Sequence, residues 1–575
     1  MPVGIIRKFA HLHCSRVKGT TQMTATENLK VIGEDKRVHK FVLPARIVMT
    51  SGKVTGAEKL LVGKKLQIGL REPDVTVLDN RGEEKHAFIV LDFGKELHGG
   101  IRLLTAFSER SGDVHVRLTF GESVSEALSE IGEKGACNDH SPRDFDAVLP
   151  LYSDLTFGQT GFRFVKIELT DGDGLLDLKA AVADFVYTDA EYRGSFRCSD
   201  PLINKIYDTA VYTCHLNMQN GAIWDGVKRD RLVWIGDSHP EMLTVKTVFG
   251  NDGCIEENLE FAIGEGAGGG WINTIPAYSL WWLLIADDWC RYKADYTFPT
   301  EHRDFCTGLI NRVCDLINDD GTDALPSYFL DWPTSGTPEA KAGVHGLLIL
   351  ALKASADMME HIGEDALAER CRDRVKCLYC SHADGGDFSQ SHAILYLAGA
   401  EGREAIDRIA EKGAGGMSTY MGYYILTALA DAGLTDRAVE IMKEYYGAML
   451  SVGATTFWED FHMEWLDNAG RIDEPVPEGK RDIHGDYGRF CYTGFRHSFC
   501  HGWASAVAVF ISENILGIKT GYGCDTVSIN PHLGELEFAE GCVPTRHGLI
   551  RVSARKNADG DTVVDVSVPD GVTVV

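Results

Sequence analysis

Residues 199–214 read SDPLINKIYDTAVYTC, and the chain divides at this point. Ser199 or Asp200 is a good helix N-cap, and Pro201 a good first helical residue because it has no N–H to leave unbonded there. Leu202, Ile203, Ile206, Ala210, Val211 and Cys214 then recur at helical spacing. Before this stretch the period is different. From about residue 29 to 190, KLQIGL, HAFIVLDFG, GIRLLTAF, DVHVRLTFGE, FRFVKIELT and AAVADFVYT are short β-rich runs punctuated by Gly and Asp. They predict a β-sandwich of jelly-roll type, interrupted by one polar loop, CNDHSPRDF at 137–145. Beyond residue 214, segments such as AGVHGLLILALKASADMMEHI, MGYYILTALADAGL and HGWASAVAVFISENIL carry amphipathic helices. Roughly a dozen of these, joined by Gly-rich loops, fit an α/α toroid whose loops form a cleft at one end. The end of the chain returns to β in DTVSINP, LEFAEG, HGLIRVSARK and DTVVDVSVP. The expected organisation is a disordered extension over 1–28, an N-terminal β-sandwich over 29–190, a helical domain over 191–516 and a C-terminal β-sandwich over 517–575.

Composition narrows the function. The 57 basic and 84 acidic residues give a formal charge of −27, which repels phosphate backbones and anionic lipid, so neither nucleic acid nor membrane is an expected partner. No apolar run reads as long enough to cross a bilayer. Fifteen scattered cysteines suit reduced thiols, and the N-terminus lacks an apolar export core, which points to the cytoplasm. Cys371, Cys377, Cys380 and His382 contain one CxxC with no second facing it. Leu367, Cys371, Val375 and Leu378 mark an apolar helix face there, so no metal is expected. Gly264, Gly266 and Gly269 match a dinucleotide fingerprint, but ENLEFAI before them is no buried strand and Pro276 breaks the helix that should follow. That stretch reads as a flexible loop at the cleft mouth, and no cofactor is expected.

The chemistry concentrates in WDGVKRDRLVWIGDSHPE, residues 224–241. Asp225, Asp230, Asp237 and Glu241 are interleaved with Lys228, Arg229 and Arg231 between two indoles, while Gly226, Gly236 and Pro240 argue against a long regular helix. Cleaving a glycosidic bond needs a protonated acid and an ionised carboxylate on opposite faces of the sugar, and indoles supply flat walls that exclude water. A second stretch, GATTFWEDFHMEW at 453–465, presents Glu459 beside Trp458 on a backbone that favours extension. Tyr492, His497, His501 and Trp503 follow, and Trp281, Trp282, Trp289, Asp331 and Trp332 repeat the pairing of acid and indole.

These residues resemble the α-L-rhamnosidases of glycoside hydrolase family 78. The resemblance runs from about residue 30 onward. It rests on Asp225, Arg229 and Asp230 followed by WIGD at Trp234–Asp237, on TTFWE at Thr455–Glu459, and on HAFIVLDFGKELHGGIRL and FGES in the N-terminal region. It implies a central (α/α)6 barrel flanked by β-sandwiches that hydrolyses terminal α-L-rhamnosides with inversion and without a cofactor. By position, Asp230 becomes the general acid and Glu459 the base. Asp225, Arg229, Trp234 and Asp237 become sugar ligands, with Trp281, Asp331, Trp332, Trp458 and His501 as further candidates around them. The family acid is usually glutamate, so Asp230 is one methylene short, and Asp237 and Glu241 stay open as the acid. Arg229 and Arg231 flank Asp230, but adjacent side chains usually point apart. The non-adjacent acids and desolvation are therefore expected to keep Asp230 protonated.

Overall fold

Three long strands, Phe88–Thr105, Asp154–Leu169 and Leu175–Thr188, form the spine of a nine-stranded antiparallel sheet. The computed structural model describes residues 35–83, 85–107, 112–490 and 492–575, so the expected extension over 1–28 lies outside the described residues. The strands alternate buried apolar positions such as Ile89, Leu91, Val165 and Ile167 around a core of their own. KLQIGL is not a strand. Lys179 Nζ and the Gly69 N–H both reach Glu72 Oε1, at 2.7 and 2.6 Å, and hold that segment as a loop. Strands Arg37–Val42 and Arg46–Ser51, which lack a clean alternation, pair with the sheet instead.

Helix Pro201–Asn217 begins where the cap residues place it, with the Asp200 side chain accepting the Leu202 N–H at 2.8 Å. Helices Ile235–Val248, Pro276–Lys293, Pro338–His361, Ser389–Ala398, Gly422–Asp431 and Val507–Asn514 each contact the next, and the last contacts the first, closing a ring. These helices are apolar nearly all round and largely buried. The helices that alternate with them in sequence, such as Asp365–Leu378 and Thr435–Ser451, bury one face against the ring. Pro338–His361 corrects the reading that no run could cross a bilayer. It is long and apolar enough, and 78% of its apolar window is packed inside this ring.

Pro240 does not end the helix it was expected to interrupt, because Ile235–Val248 runs through it. The proline leaves the Gly236 carbonyl without its helical partner, and the Tyr420 hydroxyl donates to that carbonyl at 2.9 Å. Gly236 itself is required by packing, since a Cβ there would lie 2.3 Å from the Tyr278 ring.

The C-terminal strands Phe538–Thr545, Gly548–Lys556 and Thr562–Ser567 form a sheet that also takes Ser195–Cys198, from just before the first long helix. The junction between the large sheet and the helices is polar and buried. Arg163 binds Asp92 through two nitrogens at 2.8 and 2.9 Å and donates to the Gly453 carbonyl at 3.0 Å. The Glu96 N–H donates to Thr455 Oγ1 at 2.9 Å, and Lys228 Nζ reaches Glu122 Oε2 at 2.9 Å. The sheet therefore grips both chemically promising stretches, 224–241 and 453–465. Removing Arg163 leaves the buried Asp92 with Arg46, at 2.9 Å, as its remaining cationic partner, so the cost is part of the roughly 3–5 kcal/mol that breaking a buried ion pair carries. We expect Arg163→Met to lower the thermal unfolding midpoint by several degrees and Asp92→Asn in that background to restore part of the loss. A midpoint within one degree of the parent would contradict this role.

Candidate active site

The loop between strand Ala222–Ile223 and helix Ile235–Val248 carries Asp225, Arg229, Asp230 and Trp234. It is pinched shut at its base, with the Asp225 N–H donating to the Leu232 carbonyl at 3.1 Å and the Leu232 N–H to Asp225 Oδ1 at 2.9 Å. Within it Asp230 and Arg231 both adopt left-handed backbone, φ 51° and 55°. That conformation costs an L-residue roughly 1–2 kcal/mol and persists only where surroundings enforce it. Here Arg231 is tied to the Gln159 and His140 carbonyls at 3.0 and 2.7 Å.

The turn folds Asp230 back onto its neighbour, so the expectation that the adjacent arginine points away is wrong. Arg229 Nη1 donates to Asp230 Oδ1 at 2.9 Å, and its Nη2 binds Glu459 Oε2. Its Nε donates to the Arg496 carbonyl at 2.7 Å, and the Tyr492 ring lies 3.3 Å from the guanidinium carbon. One planar cation thus spans two carboxylates that lie far apart in sequence. Asp230 has further neighbours in Trp234 Nε1 at 3.3 Å and the Tyr492 hydroxyl at 3.4 Å.

Glu459 sits in an irregular loop rather than the extended strand its neighbours suggest. Its own N–H donates to the Ser498 carbonyl at 3.0 Å, while the Ser498 N–H approaches Oε2 at 3.3 Å. Burial would push its carboxyl up, but Arg229, His501 and His497 outweigh burial and hold it at about 2. Asp237 lies in the first turn of its helix, 2.9 Å from His501 Nε2. Burial raises the Asp237 carboxyl. Burial lowers His501, but Asp237 and Glu459 outweigh it and raise the ring. Burial likewise pushes Asp225 well above the carboxylate range, with Asp237 and Asp230 adding to it.

Asp225, Asp230, Trp234, Asp237, Trp332, Glu459 and His501 line one cavity of about 460 Å³. Arg229 lies against it, 4% exposed, behind the two carboxylates it joins. Three candidates do not reach it. Trp281 packs in the core on His239 and Tyr424, and Trp458 stacks on Phe499 at 4.0 Å. Asp331 is buried, accepts the Ser418 hydroxyl at 2.5 Å and caps the turn Trp332–Thr334, with burial raising it to about 6. Glu241 also stands outside the cavity, wholly buried behind Gly502. The apolar part of the lining was missed in the sequence: Ile275 and Tyr278 come from the start of helix Pro276–Lys293, and Tyr328 and Phe329 from the irregular segment before Trp332–Thr334. The Gly266–Gly270 loop lines a separate hollow with Phe305 and Arg312 rather than this mouth. Elsewhere Glu122, Glu126 and His484 are grouped closely enough to hold a metal, but the Lys228 ammonium already supplies a cation there.

Residues 191–295 match the family described as the bacterial alpha-L-rhamnosidase six-hairpin glycosidase domain. A curated alpha-L-rhamnosidase of Formosa agariphila is 27% identical over 163 residues, which are 26% of this chain and 16% of that protein. Among solved structures, a family 78 rhamnosidase of Bacillus sp. GL1 aligns over 90% of this chain and 55% of its own, at 21% identity and a TM-score of 0.70. A rhamnosidase from Klebsiella oxytoca with rhamnose bound aligns over 83% and 96% respectively, at 20% identity and a TM-score of 0.65. These structures share the fold with this chain, which spans only part of the length of the curated relative and of the Bacillus enzyme.

The depressed Glu459 carboxyl has a consequence for stability. A folded value near 2 against an ordinary 4.5 favours the folded state by on the order of 3 kcal/mol above pH 4.5, and this is lost as pH falls towards 2. Glu459→Gln should therefore unfold at a lower temperature than the parent at pH 7, with the gap narrowing between pH 4.5 and 2. A gap that stays constant over that range would contradict the ion pair.

Proposed function

We propose that this chain, whose residues 191–295 belong to the bacterial alpha-L-rhamnosidase six-hairpin glycosidase family, is an inverting exo-glycosidase that releases terminal α-L-rhamnose. The closed ring of helices, with a second set packed around it and β-sandwiches at either end, is read as an (α/α)6 barrel. The observation that carries the functional reading is the single guanidinium joining Asp230 and Glu459 at one cavity with apolar walls. It keeps Glu459 ionised, as a base that activates water must be. Inversion, with a water beneath the anomeric carbon, is the part of this reading that the configuration of the first-formed sugar tests.

In this reading Asp230 protonates the leaving oxygen and Glu459 takes a proton from water on the opposite face. Asp225 and Asp237, both held towards the protonated form by burial, donate to and accept from ring hydroxyls. The indole of Trp332 and the rings of Tyr278 and Phe329 receive the apolar face of a deoxy sugar. A second reading gives the proton to Asp237, favoured by its raised carboxyl and its place on the cavity wall.

The two are separated by leaving-group dependence. Asp230→Asn and Glu459→Gln should each lower kcat on an unactivated rhamnoside by about a hundredfold or more. On an aryl rhamnoside whose aglycone leaves without protonation, Asp230→Asn should recover and Glu459→Gln should not. Recovery by Asp237→Asn instead would move the acid to that residue. Proton NMR of the first-formed sugar should show inverted configuration, and retention would overturn the assignment of Glu459 as a base.

A further inference from the structure

The polar loop 137–145, which the sequence set apart from the sandwich, ends against the acid loop. His140 Nδ1 lies 3.1 Å from Asp230 Oδ1. Its backbone is left-handed, φ 61°, which is uncommon for a residue with a side chain and is held only by a surrounding that dictates it. The surrounding is built for that purpose. Asn138 Oδ1 accepts the Arg143 and Asp144 N–H groups at 3.0 and 3.1 Å, and Ser141 Oγ donates to the Gln159 carbonyl at 2.7 Å. Arg143 is buried, with its guanidinium on the Phe120, Glu126 and Ser129 carbonyls. On the far side Asp139 pairs with Arg496 at 2.5 Å, and the His140 carbonyl accepts from Arg231. Strain at His140 thus faces strain at Asp230 and Arg231, and the two loops are tied together at the point where the imidazole meets the carboxylate.

We propose that His140 is a positioning and proton-supplying partner of Asp230, so that the N-terminal sandwich contributes a residue to the active site. The proposal rests on the reading of Asp230 as the general acid. The groups facing Asp230 are Arg229 from its own loop, Trp234 from the helix start, Tyr492 from the loop before Gly494–Arg496, and His140. Asp225 and Asp237 line the same cavity, held towards the protonated form by burial. Of the donors in direct contact, Arg229 does not release a proton and the tyrosine and indole do so only far above neutral pH. An imidazole is the one donor type among these that exchanges a proton near neutral pH, and it is supplied by His140. It is also 34% exposed, against 11% for Asp230, and so has its own route to solvent. When Asp230 has given its proton to the leaving oxygen, the imidazolium passes its Nδ1 proton to the carboxylate and becomes neutral. Solvent then re-protonates the ring, while Glu459 returns to solvent the proton it took from water.

The test is a double-mutant cycle on an unactivated rhamnoside, with kcat measured against pH. His140→Gln keeps an N–H donor without a titrating group, and His140→Ala removes both. His140→Ala should lower kcat about tenfold with KM within twofold and move the alkaline limb of the kcat profile to lower pH. His140→Gln should keep the parent unfolding temperature yet show the same displaced limb. In the Asp230→Asn background, followed over long incubations, His140→Ala should add no further loss. An unchanged pH profile, or a full multiplicative loss in the Asp230→Asn background, would overturn the proposal. If Asp230→Asn alone keeps the parent rate, the acid lies elsewhere, and that result removes the underlying reading together with this one.

Discussion

One guanidinium decides how this site works. Arg229 is buried among groups that give it little choice of position: a carbonyl behind it, an aromatic ring on its face, and a carboxylate at each end of its fork. A planar fork with fixed donors suits two carboxylates at once, which a flexible ammonium would not do. The consequence is electrostatic as well as geometric. Burial alone would neutralise Glu459, and the arginine, with His501 and His497, reverses that, leaving an ionised carboxylate in a pocket whose other buried acids, Asp225 and Asp237, are driven the opposite way. Glu459 on one side and Asp225 and Asp237 on the other thus acquire opposite protonation habits from their surroundings, the condition under which carboxyl groups divide acid from base work.

The arginine can hold that position because the loop around it is braced from outside the helical ring. Lys228, its neighbour in sequence, turns the other way and reaches Glu122, just past sheet strand Val114–Gly121, and Glu126 in the short helix Val124–Leu128, as well as the Phe495 carbonyl. Glu122 also accepts the Phe499 N–H at 2.7 Å, so this one residue ties the acid loop to the segment that bonds Glu459. Buried ionic contacts of this kind contribute little net stability compared with apolar packing, but they fix a register. The large sheet therefore helps hold the walls of the cavity in place, and its loop at His140 reaches Asp230 itself.

Much of this was legible in the sequence, for identifiable reasons. The helical onset at Pro201 has a cap, a proline and a periodic face, three local signals that agree. The stretch 224–241 and Glu459 stood out because carboxylates, cations and indoles are packed together there, and Asp225, Asp230, Trp234, Asp237 and Glu459 do meet at one cavity. The same rule misled at Trp281, Trp458 and Asp331, because an indole beside an acid looks alike whether it lines a pocket or fills a core. Tyr278 and Phe329 carry no local mark at all, since their role comes from which segments converge. Pro240 was read as a break because its remedy, the Tyr420 hydroxyl, lies 180 or so residues away. The direction of Arg229 was hidden for a similar reason: no residue type announces that Asp230 will adopt a left-handed turn.

The central claim is that Arg229 sets the charge of Glu459. It is tested most directly by carboxyl ¹³C NMR of glutamate-labelled protein, with Glu459 assigned by the Glu459→Gln variant, titrated in the parent and in Arg229→Met. In the parent the Glu459 signal should stay that of a carboxylate down to about pH 2. In Arg229→Met, where only His501 and His497 still oppose burial, its midpoint should rise clearly above that of the parent. A midpoint that is the same in both proteins would contradict the account.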